Sequence, residues 1–344
     1  MHPAAITSAL RRTDFLRRAR PPGPRKEWLH FCVHAAQAEV MVNLSVSDRP
    51  TGRDPDGRAE VARLVMLADD GRRRVAGVDS FGAGDFHAPA GGLAFALGGS
   101  ALDLRGDAFS LRASLRDEPV ALDVVLRPRA LPAVIPRLPL GDAPPLDWVI
   151  VPRLEATGTL TVDGRATPLT AALAYHDHNW GRFRWGDDFA WEWGFALPDA
   201  PGSPWTLVFA RLTDRARLVT RAQALMLWKG SVQHRLFRNE AVAVHRDGYL
   251  AAGDVLRVPR VMGLVCDDGT TDVPRRFRAS ARERGDEVGF VFAPSAVAQV
   301  AVPNDADLGV TRIHEVSGRV SLRGAVRGER VELEGRGFFE FLEG

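Results

Sequence analysis

The sequence predicts an all-β protein made of two antiparallel β-barrels or sandwiches in tandem. Short runs of β-branched and aromatic residues follow one another from Glu27 onward, turn signals recur every 8–12 residues or so, and helical periodicity is scarce. At 344 residues the chain is too long for one small barrel. The division into two units rests on this spacing alone.

Residues 1–24 are predicted to form a short basic arm that favours a helix and ends in a Pro-rich break. The arm lacks an apolar segment of signal-peptide length. No stretch of the chain reaches the roughly 18 apolar residues that a membrane span needs. We therefore expect a cytoplasmic protein, with peripheral membrane contact left open as a route for substrate uptake.

Residues 25–180 are predicted to form the first β unit. Its strand signals include the runs LHFCVHA, EVMVNLSVS, AEVARLVMLA, RRVAGVDSF and GGLAFALGG. Polar and apolar residues then alternate around Gly106-Asp107 and around Asp163-Gly164, which predicts two hairpins. The Pro-rich residues 127–152 are expected to form a long loop across the mouth of this unit.

Residues 181–344 are predicted to form the second β unit. Hairpin turns are expected at Asp247-Gly248, at Asp268-Gly269, and near Gly324 and Gly328. A short helix is expected around Ser295–Val300.

Charge, cysteine content and motifs argue against several functions. Lys and Arg number 45 against 43 Asp and Glu, and a net charge of +2 is not that of a nucleic-acid-binding protein. Cys32 and Cys266 each lie in an apolar run, which favours buried reduced thiols over a disulfide. We find no P-loop, dinucleotide fingerprint, serine-hydrolase elbow or zinc-protease motif, which disfavours nucleotide-dependent and serine-hydrolase chemistry.

One stretch, AYHDHNWGRFRWGDDFAWEWGF at residues 174–195, holds four of the eight Trp and two of the nine His. If residues 167–178 form a strand, its side chains alternate between two faces. One face then carries Leu169, Ala171, Leu173, Tyr175 and Asp177, and the other carries Thr170, Ala172, His176 and His178. In the next strand, one face carries Phe189, Trp191, Trp193 and Phe195, and the other carries Glu192 and Gly194. Residues 179–181 are predicted to bend the chain between them, and Asp187-Asp188 to form a solvated turn.

If the two aromatic-rich faces meet inside a barrel, Asp177 lies in an apolar environment. Desolvation then raises its pKa, and a carboxyl group that stays protonated can donate a proton. Indole faces nearby would attract a developing cation by about 0.5–2 kcal/mol each. These features suit proton-initiated chemistry on an alkene.

Structural interpretations of the same residues stay open. Trp191 and Trp193 also suit a plain β core, and Asp177 also suits a carboxylate that accepts backbone N–H groups at a bend. His176 and His178 have spacing that a metal allows, but zinc requires further ligands, so we expect no metal. They are instead expected to bond loop backbone or to orient neighbouring groups.

The segment AYHDHNWG at 174–181 resembles the Y-H-D-H-N-W-G signature of the carotenoid 1,2-hydratase (hydroxyneurosporene synthase) family. KEWLHF at 26–31, W-x-W-x-F at 191–195 and the closing GRGFFEFLEG resemble further family segments. The resemblance therefore extends over nearly the whole chain, although only the central motif is specific. Residues 28–31 depart from the family's double Trp followed by Tyr, and no His stands near Trp148.

The resemblance implies two lipocalin-like β units in tandem, with a hydrophobic pocket at their junction. It implies an enzyme that adds water to a terminal C=C bond without a cofactor, and related proteins on the fold are cyclases and Diels–Alderases. It also implies Asp177 as the proton donor, Tyr175 beside it, and Trp148 as a contributing aromatic residue.

We therefore expect a cofactor-independent enzyme that acts on a hydrophobic isoprenoid or polyene and gives cyclisation, isomerisation or hydration. Asp177 is the expected acid, positioned by Tyr175 and Asn179. The predicted substrate-binding residues are Trp28, Trp148, His176, His178, Asn179, Trp191 and Trp193. The alternatives are a Diels–Alderase-type pericyclase that acts on a polyketide-derived substrate, a non-catalytic lipid or pigment carrier, and a structural protein without a pocket.

Overall fold

The computed structural model describes residues 2–16, 25–51, 54–89, 91–184, 188–200, 202–251, 253, 255–259, 270–304 and 309–343. Its elements are almost all antiparallel strands, so the predicted all-β class is confirmed. The described residues divide into two compact units. Unit 1 falls within residues 1–138 and 143–183, and unit 2 within residues 139–142 and 184–344.

Unit 1 begins with one helix and continues with strands. These are α1 (Pro3–Thr13), β1 (Arg25–His34), β2 (Glu39–Thr51), β3 (Asp54–Asp69), β4 (Arg74–Gly82), β5 (Phe86–His87), β6 (Ala94–Leu97), β7 (Ser100–Arg105), β8 (Ala108–Ser114), β9 (Val120–Pro128), β10 (Ala133–Leu140), β11 (Ala143–Val162) and β12 (Arg165–Arg182). The last two residues of β10, Pro139 and Leu140, group with unit 2.

The described residues of unit 2 form strands and a short 3₁₀ turn. These are β13 (Ala190–Pro198), β14 (Trp205–Thr213), β15 (Thr220–Lys229), β16 (Val232–Arg238), a 3₁₀ turn (Asn239–Ala241), β17 (Val242–Ala251), β18 (Val255–Val258), β19 (Thr270–Glu283), β20 (Asp286–Pro303), β21 (Val310–Val326) and β22 (Glu329–Glu343).

Each unit brings its first and last long strands together. Within the described residues, the first sheet runs β4-β3-β2-β1-β12-β11-β9-β8-β7-β6-β5, with β10 paired to β11. The second runs β16-β15-β14-β13-β22-β21-β20-β19-β17, with β18 parallel to β20. The motif strand β12 therefore lies mid-sheet between β1 and β11, where neighbours on both sides fix its side chains.

The N-terminal segment packs onto unit 1. Helix α1 buries Ile6 and Leu10 in the unit's hydrophobic core, together with Leu16 just beyond the helix. The backbone of Leu16 bonds to Gly91 and Gly92. The described part of the predicted arm, residues 2–16, thus includes the expected helix and is anchored to the first sheet.

Three of the predicted turns are confirmed. Gly106-Asp107 connects β7 to β8, and Asp163-Gly164 connects β11 to β12. The turn near Gly328 connects β21 to β22, whereas Gly324 lies inside β21. Asp268-Gly269 and Cys266 lie outside the described residues, as does Asp187.

Three other sequence predictions are wrong. Ser295–Val300 is part of strand β20, because pairing with β21 and β18 overrides the local helical pattern. Asp247-Gly248 lies within β17, where Gly248 takes a φ of +57° without ending the strand. Residues 179–181 do not bend the chain, because β12 continues through them to Arg182 and pairs with β1.

The Pro-rich residues 127–152 do not form a long loop. Most of them belong to β10 and β11, which pair with each other. Pro136 and Pro139 lie in β10, which has β11 as its only described partner strand. Because proline lacks an N–H, an edge position of this kind accommodates it.

The predicted faces of β12 need a correction. Leu169 and Ala172 both lie in the unit 1 core although they are three residues apart. The intervening Ala171 has a φ of +48°, and the pairing with β11 shifts register between Ala172 and Leu169. This β-bulge reverses the alternation, so Leu169 does not share a face with Tyr175 and Asp177.

No helix among the described residues is long and apolar enough to cross a membrane.

Candidate active site

The candidate site is built on β12, where alternate side chains separate two sets of polar groups. Ala174 belongs to the unit 1 core, so His176 and His178 point to the core side. Tyr175, Asp177 and Asn179 lie on the opposite face. That face is also buried, since the three residues are 0%, 3% and 6% exposed.

The carboxyl group of Asp177 is held by its neighbours on the same strand. The hydroxyl of Tyr175 donates to Oδ2 at 2.9 Å. The side-chain amide of Asn179 donates to Oδ1 at 3.0 Å. Residues i and i+2 of a strand share a face, which is why a Tyr-x-Asp-x-Asn sequence places a donor on each side of the carboxyl. We call these three residues the Asp177 triad.

The adjacent strands add aromatic and polar groups to this face. In β1, Trp28, His30 and Cys32 pair with Asn179, Asp177 and Tyr175 respectively. In β11, Trp148 pairs with Asn179, and Ile150 pairs with Asp177. Trp148, His30 and Cys32 are buried. The structure therefore brings the predicted Trp28 and Trp148 next to the Asp177 triad, with a β-bulge at Pro152–Arg153 opposite Tyr175.

His30 and Cys32 are site residues that the sequence analysis did not assign. His30 Nε2 lies 3.2 Å from Cys32 Sγ, and both side chains are at most 2% exposed. Burial, with a smaller contribution from the charge of His176, lowers the pKa of His30 to about 3. The imidazole is therefore neutral near neutral pH. The available sequence signal was the i, i+2 spacing of His30 and Cys32 within an apolar strand.

His176 and His178 join a buried polar network on the core side. Asp14, at the C-terminal end of α1, accepts hydrogen bonds from His176 Nε2 at 3.0 Å and from His178 Nδ1 at 2.8 Å. His178 Nε2 donates to Glu27 at 2.9 Å. Both imidazoles are 0% exposed. The His pair thus fixes the N-terminal segment to β12, on the face opposite Asp177.

In this network, hydrogen bonds and opposite charges favour the charged forms of Asp14 and His178 despite their burial. Burial alone would lower the pKa of His178, but hydrogen bonds to Asp14 and Glu27 and the charges of both carboxylates raise it to about 9. Burial would likewise raise the pKa of Asp14, but the charge of His176 and the hydrogen bonds from both imidazoles hold it well below its usual range. No group of three or more metal-ligating side chains within the described residues could hold a metal ion.

Trp191 and Trp193 lie in unit 2, on one face of β13. Phe195 shares their face, and all three are buried. Ala196, on the opposite face, belongs to the unit 2 core. On that core side, Gly194 leaves room for the ring of Phe339, which a Cβ would meet at 2.4 Å. The predicted aromatic row therefore exists, although its members belong to a different unit from the Asp177 triad.

A carboxyl pair accompanies this aromatic row. Glu315 and Glu340 face each other across β21 and β22 and share a hydrogen bond. The indole N–H of Trp191 donates to Glu340. Burial raises the pKa of Glu340 to about 7, against these two hydrogen bonds, which favour the charged form. This pair could not be predicted from the sequence, because its members are 25 residues apart on different strands.

Comparison with solved structures shows the fold. A protein assigned as AttH from Nitrosomonas europaea aligns with a TM-score of 0.65 and 14% identity, over 93% of this chain and 92% of that chain. Kievitone hydratase from Nectria haematococca aligns with a TM-score of 0.59 and 13% identity, over 92% and 88% of the two chains. CghA in complex with Sch210972 aligns with a TM-score of 0.55 and 14% identity, over 94% and 89%.

The chain has the tandem lipocalin-like fold. No protein-family model matches it, and no curated protein matches its sequence. Since the identities are low, the alignments establish the architecture alone.

Proposed function

We propose that this protein is a cofactor-independent enzyme that transfers a proton from Asp177 to a C=C bond of an apolar isoprenoid or polyene. The products are those of hydration, cyclisation or isomerisation. The proposal depends on one observation above all: a buried carboxyl group with a hydrogen-bond donor at each oxygen, 2.9 and 3.0 Å away. Such a group is fixed in orientation before the substrate arrives, which lowers the entropic cost of the reaction.

The surroundings of Asp177 suit a cationic intermediate. Trp28 and Trp148 occupy register positions beside Asn179 on the two neighbouring strands. An indole face stabilises a nearby cation by about 0.5–2 kcal/mol, more when water is excluded. Tyr175 and Asn179 would stabilise the carboxylate left after proton transfer. The roles of Trp191 and Trp193 as pocket-lining residues stay predictions.

Two of the structural neighbours support the general type of function. The name of kievitone hydratase identifies a hydratase on this fold. CghA was solved in complex with Sch210972, which supports binding of a small molecule by this architecture. Both comparisons support the class of activity, whereas the contacts of Asp177 support its role as proton donor.

The proposal predicts that Asp177→Asn abolishes turnover while the fold is kept. The purified protein is incubated in D₂O with geranylgeraniol, squalene, neurosporene and kievitone, and products are analysed by mass spectrometry for carbon-bound deuterium. We expect deuterated product from the wild type and a loss of at least about 100-fold in the variant, the scale of general acid catalysis. Asp79→Asn is the matched control, because Asp79 is another buried carboxylate of unit 1, bonded to the backbone of Arg116.

Other outcomes would select the alternatives. An Asp177→Asn variant that keeps the wild-type rate would contradict the acid and favour a pericyclase. Quenching of tryptophan fluorescence by a polyene, with no product and no carbon-bound deuterium, would favour a carrier. If neither binding nor turnover occurs with any of the four probes, the proposed substrate class is wrong.

A further inference from the structure

His30 lies where a partner for Asp177 would be expected. The two residues are directly paired across β1 and β12, and they are 2% and 3% exposed. Directly opposed residues of an antiparallel pair have Cβ atoms about 4.5–5.5 Å apart on the same face. From these positions, a rotation of either side chain would bring the imidazole and the carboxyl group towards each other, and a proton would then pass directly or through one water molecule.

Burial keeps the ring of His30 neutral, and the groups around the ring limit its orientation. On its own strand, Cys32 Sγ contacts Nε2 at 3.2 Å. On β2, Asn43 is its register partner, and on β12 the flanking residue on the same face is Tyr175. On the core side, His176 Nδ1 donates a hydrogen bond to the backbone carbonyl of His30 at 3.0 Å. Among the side chains named on this face, Asp177 carries the one carboxyl group, and none carries an amine.

We propose that His30 is the proton acceptor of the site and forms an acid–base pair with Asp177, so that the preferred reaction is hydration. This inference rests on the proposed function, because it assigns the proton donor to Asp177.

The proposed cycle balances atoms and charge. The Asp177 carboxyl transfers its proton to one alkene carbon, and the π electrons form the new C–H bond, which leaves a carbocation and a carboxylate. A water oxygen then bonds to the cation while His30 takes a proton from that water, giving an alcohol and an imidazolium. Proton transfer from His30 to Asp177 restores both groups. The site has zero net charge at every stage, which a buried environment requires.

The same cycle explains how a weakly basic imidazole suffices. Before the reaction His30 faces a neutral carboxyl and has little affinity for a proton. Once Asp177 has become a carboxylate, the adjacent negative charge raises the proton affinity of the imidazole. The base is therefore activated by the step that needs it.

The test compares His30→Gln with His34→Gln. His34 is a buried histidine of the same strand, but it pairs with Leu173 and contacts Glu39 at 3.1 Å. With any of the four probes that turns over, we expect His30→Gln to lose alcohol product about 100-fold and to lose the dependence of rate on a basic group. His34→Gln should keep the wild-type rate and pH profile. Thermal unfolding checks that both variants are folded.

Infrared spectroscopy of the free protein tests the pair without a substrate. The C=O stretching band of protonated Asp177 is identified by its absence from Asp177→Asn. We expect this band to shift in His30→Gln and to stay in place in His34→Gln. A band that is insensitive to His30→Gln would overturn the pair and leave the proposed function intact. A wild type without the band would contradict the protonated Asp177 of the proposed function, and the pair with it.

Discussion

At the scale of single residues, neighbours in the sequence have different surroundings. His176 and His178 lie in the polar network with Asp14 and Glu27, whereas Asp177, between them, lies on the other face with Tyr175. The alternation of a strand accounts for this separation. The motif letters alone suggest one cluster, but the side chains form two.

The carboxyl pair in unit 2 yields a residue-scale prediction. Because the pKa of Glu340 rises from 4.5 in the unfolded chain to about 7 in the fold, the folded state retains a proton that the unfolded state has lost. Stability must therefore fall as the pH rises from 4.5 to 7. Glu340→Gln stays neutral, so its free energy of unfolding should exceed that of the wild type by a few kcal/mol at about pH 8 and match it near pH 4.

Urea unfolding of both proteins at the two pH values checks this prediction. Glu332→Gln is the control, because Glu332 lies on the same strand but is exposed and bound to Arg323. Because this substitution removes an ion pair, it should not raise the free energy of unfolding at about pH 8. If Glu340→Gln differed from the wild type by the same amount at both pH values, the fold would not raise the pKa of Glu340.

At the scale of elements, strands with a buried face could be predicted from their alternation. Strands β7 and β8, which alternate between buried and more exposed residues, and the aromatic row of β13 show this clearly. The errors arose where the chain departs from regular alternation or where pairing decides the structure. Ser295–Val300 contains good helix formers but pairs on both sides, and the bulge at Ala171 shifts the faces of β12 without a glycine to signal it.

The site could be predicted only along one strand. Tyr175, Asp177 and Asn179 share a face because of their spacing, which the sequence displays. His30 and Cys32 reach the same face through the register of β1 against β12, and Asp14 reaches His178 from a helix. A single sequence contains no signal for pairings between distant segments, so these residues could not be assigned from it.

The bulge in β12 provides an element-scale prediction. Ala171 is exposed and has a φ of +48°, a region that β-branched residues avoid. Ala171→Val should therefore be less stable than Ala171→Gly by about 1–3 kcal/mol. At the exposed neighbour Thr170, which has no positive φ, valine should instead be more stable than glycine. Chemical denaturation of the four variants measures both differences. If valine were more stable than glycine at both positions, residue 171 would not be strained.

At the scale of the whole molecule, four buried groups among the described residues link stability to pH between 4.5 and 9, with opposite signs. Burial lowers the pKa of His30 to about 3 and that of His314 to about 4, from 6.5. The stability that these two neutral imidazoles contribute is fully present above pH 6.5 and is lost as the pH falls through their folded pKa values. The raised pKa of His178, about 9, contributes stability that is present below 6.5 and is lost as the pH rises through 9. The raised pKa of Glu340 lowers the stability of the fold as the pH rises from 4.5 to 7.

The sum of the protons taken up and released on unfolding predicts the pH at which the fold is most stable. Between pH 4.5 and 6.5, unfolding takes up protons at His30 and His314 and releases one from Glu340, so stability should rise by on the order of 1 kcal/mol per pH unit. Above 6.5, unfolding releases protons from His178 and, up to about 7, from Glu340, so stability should fall. We expect a maximum in the free energy of unfolding near pH 6.5, measured by urea titration between 4.5 and 9. A curve that still rises at about pH 8 would mean that the contacts of His178 with Asp14 and Glu27 do not hold a proton in solution.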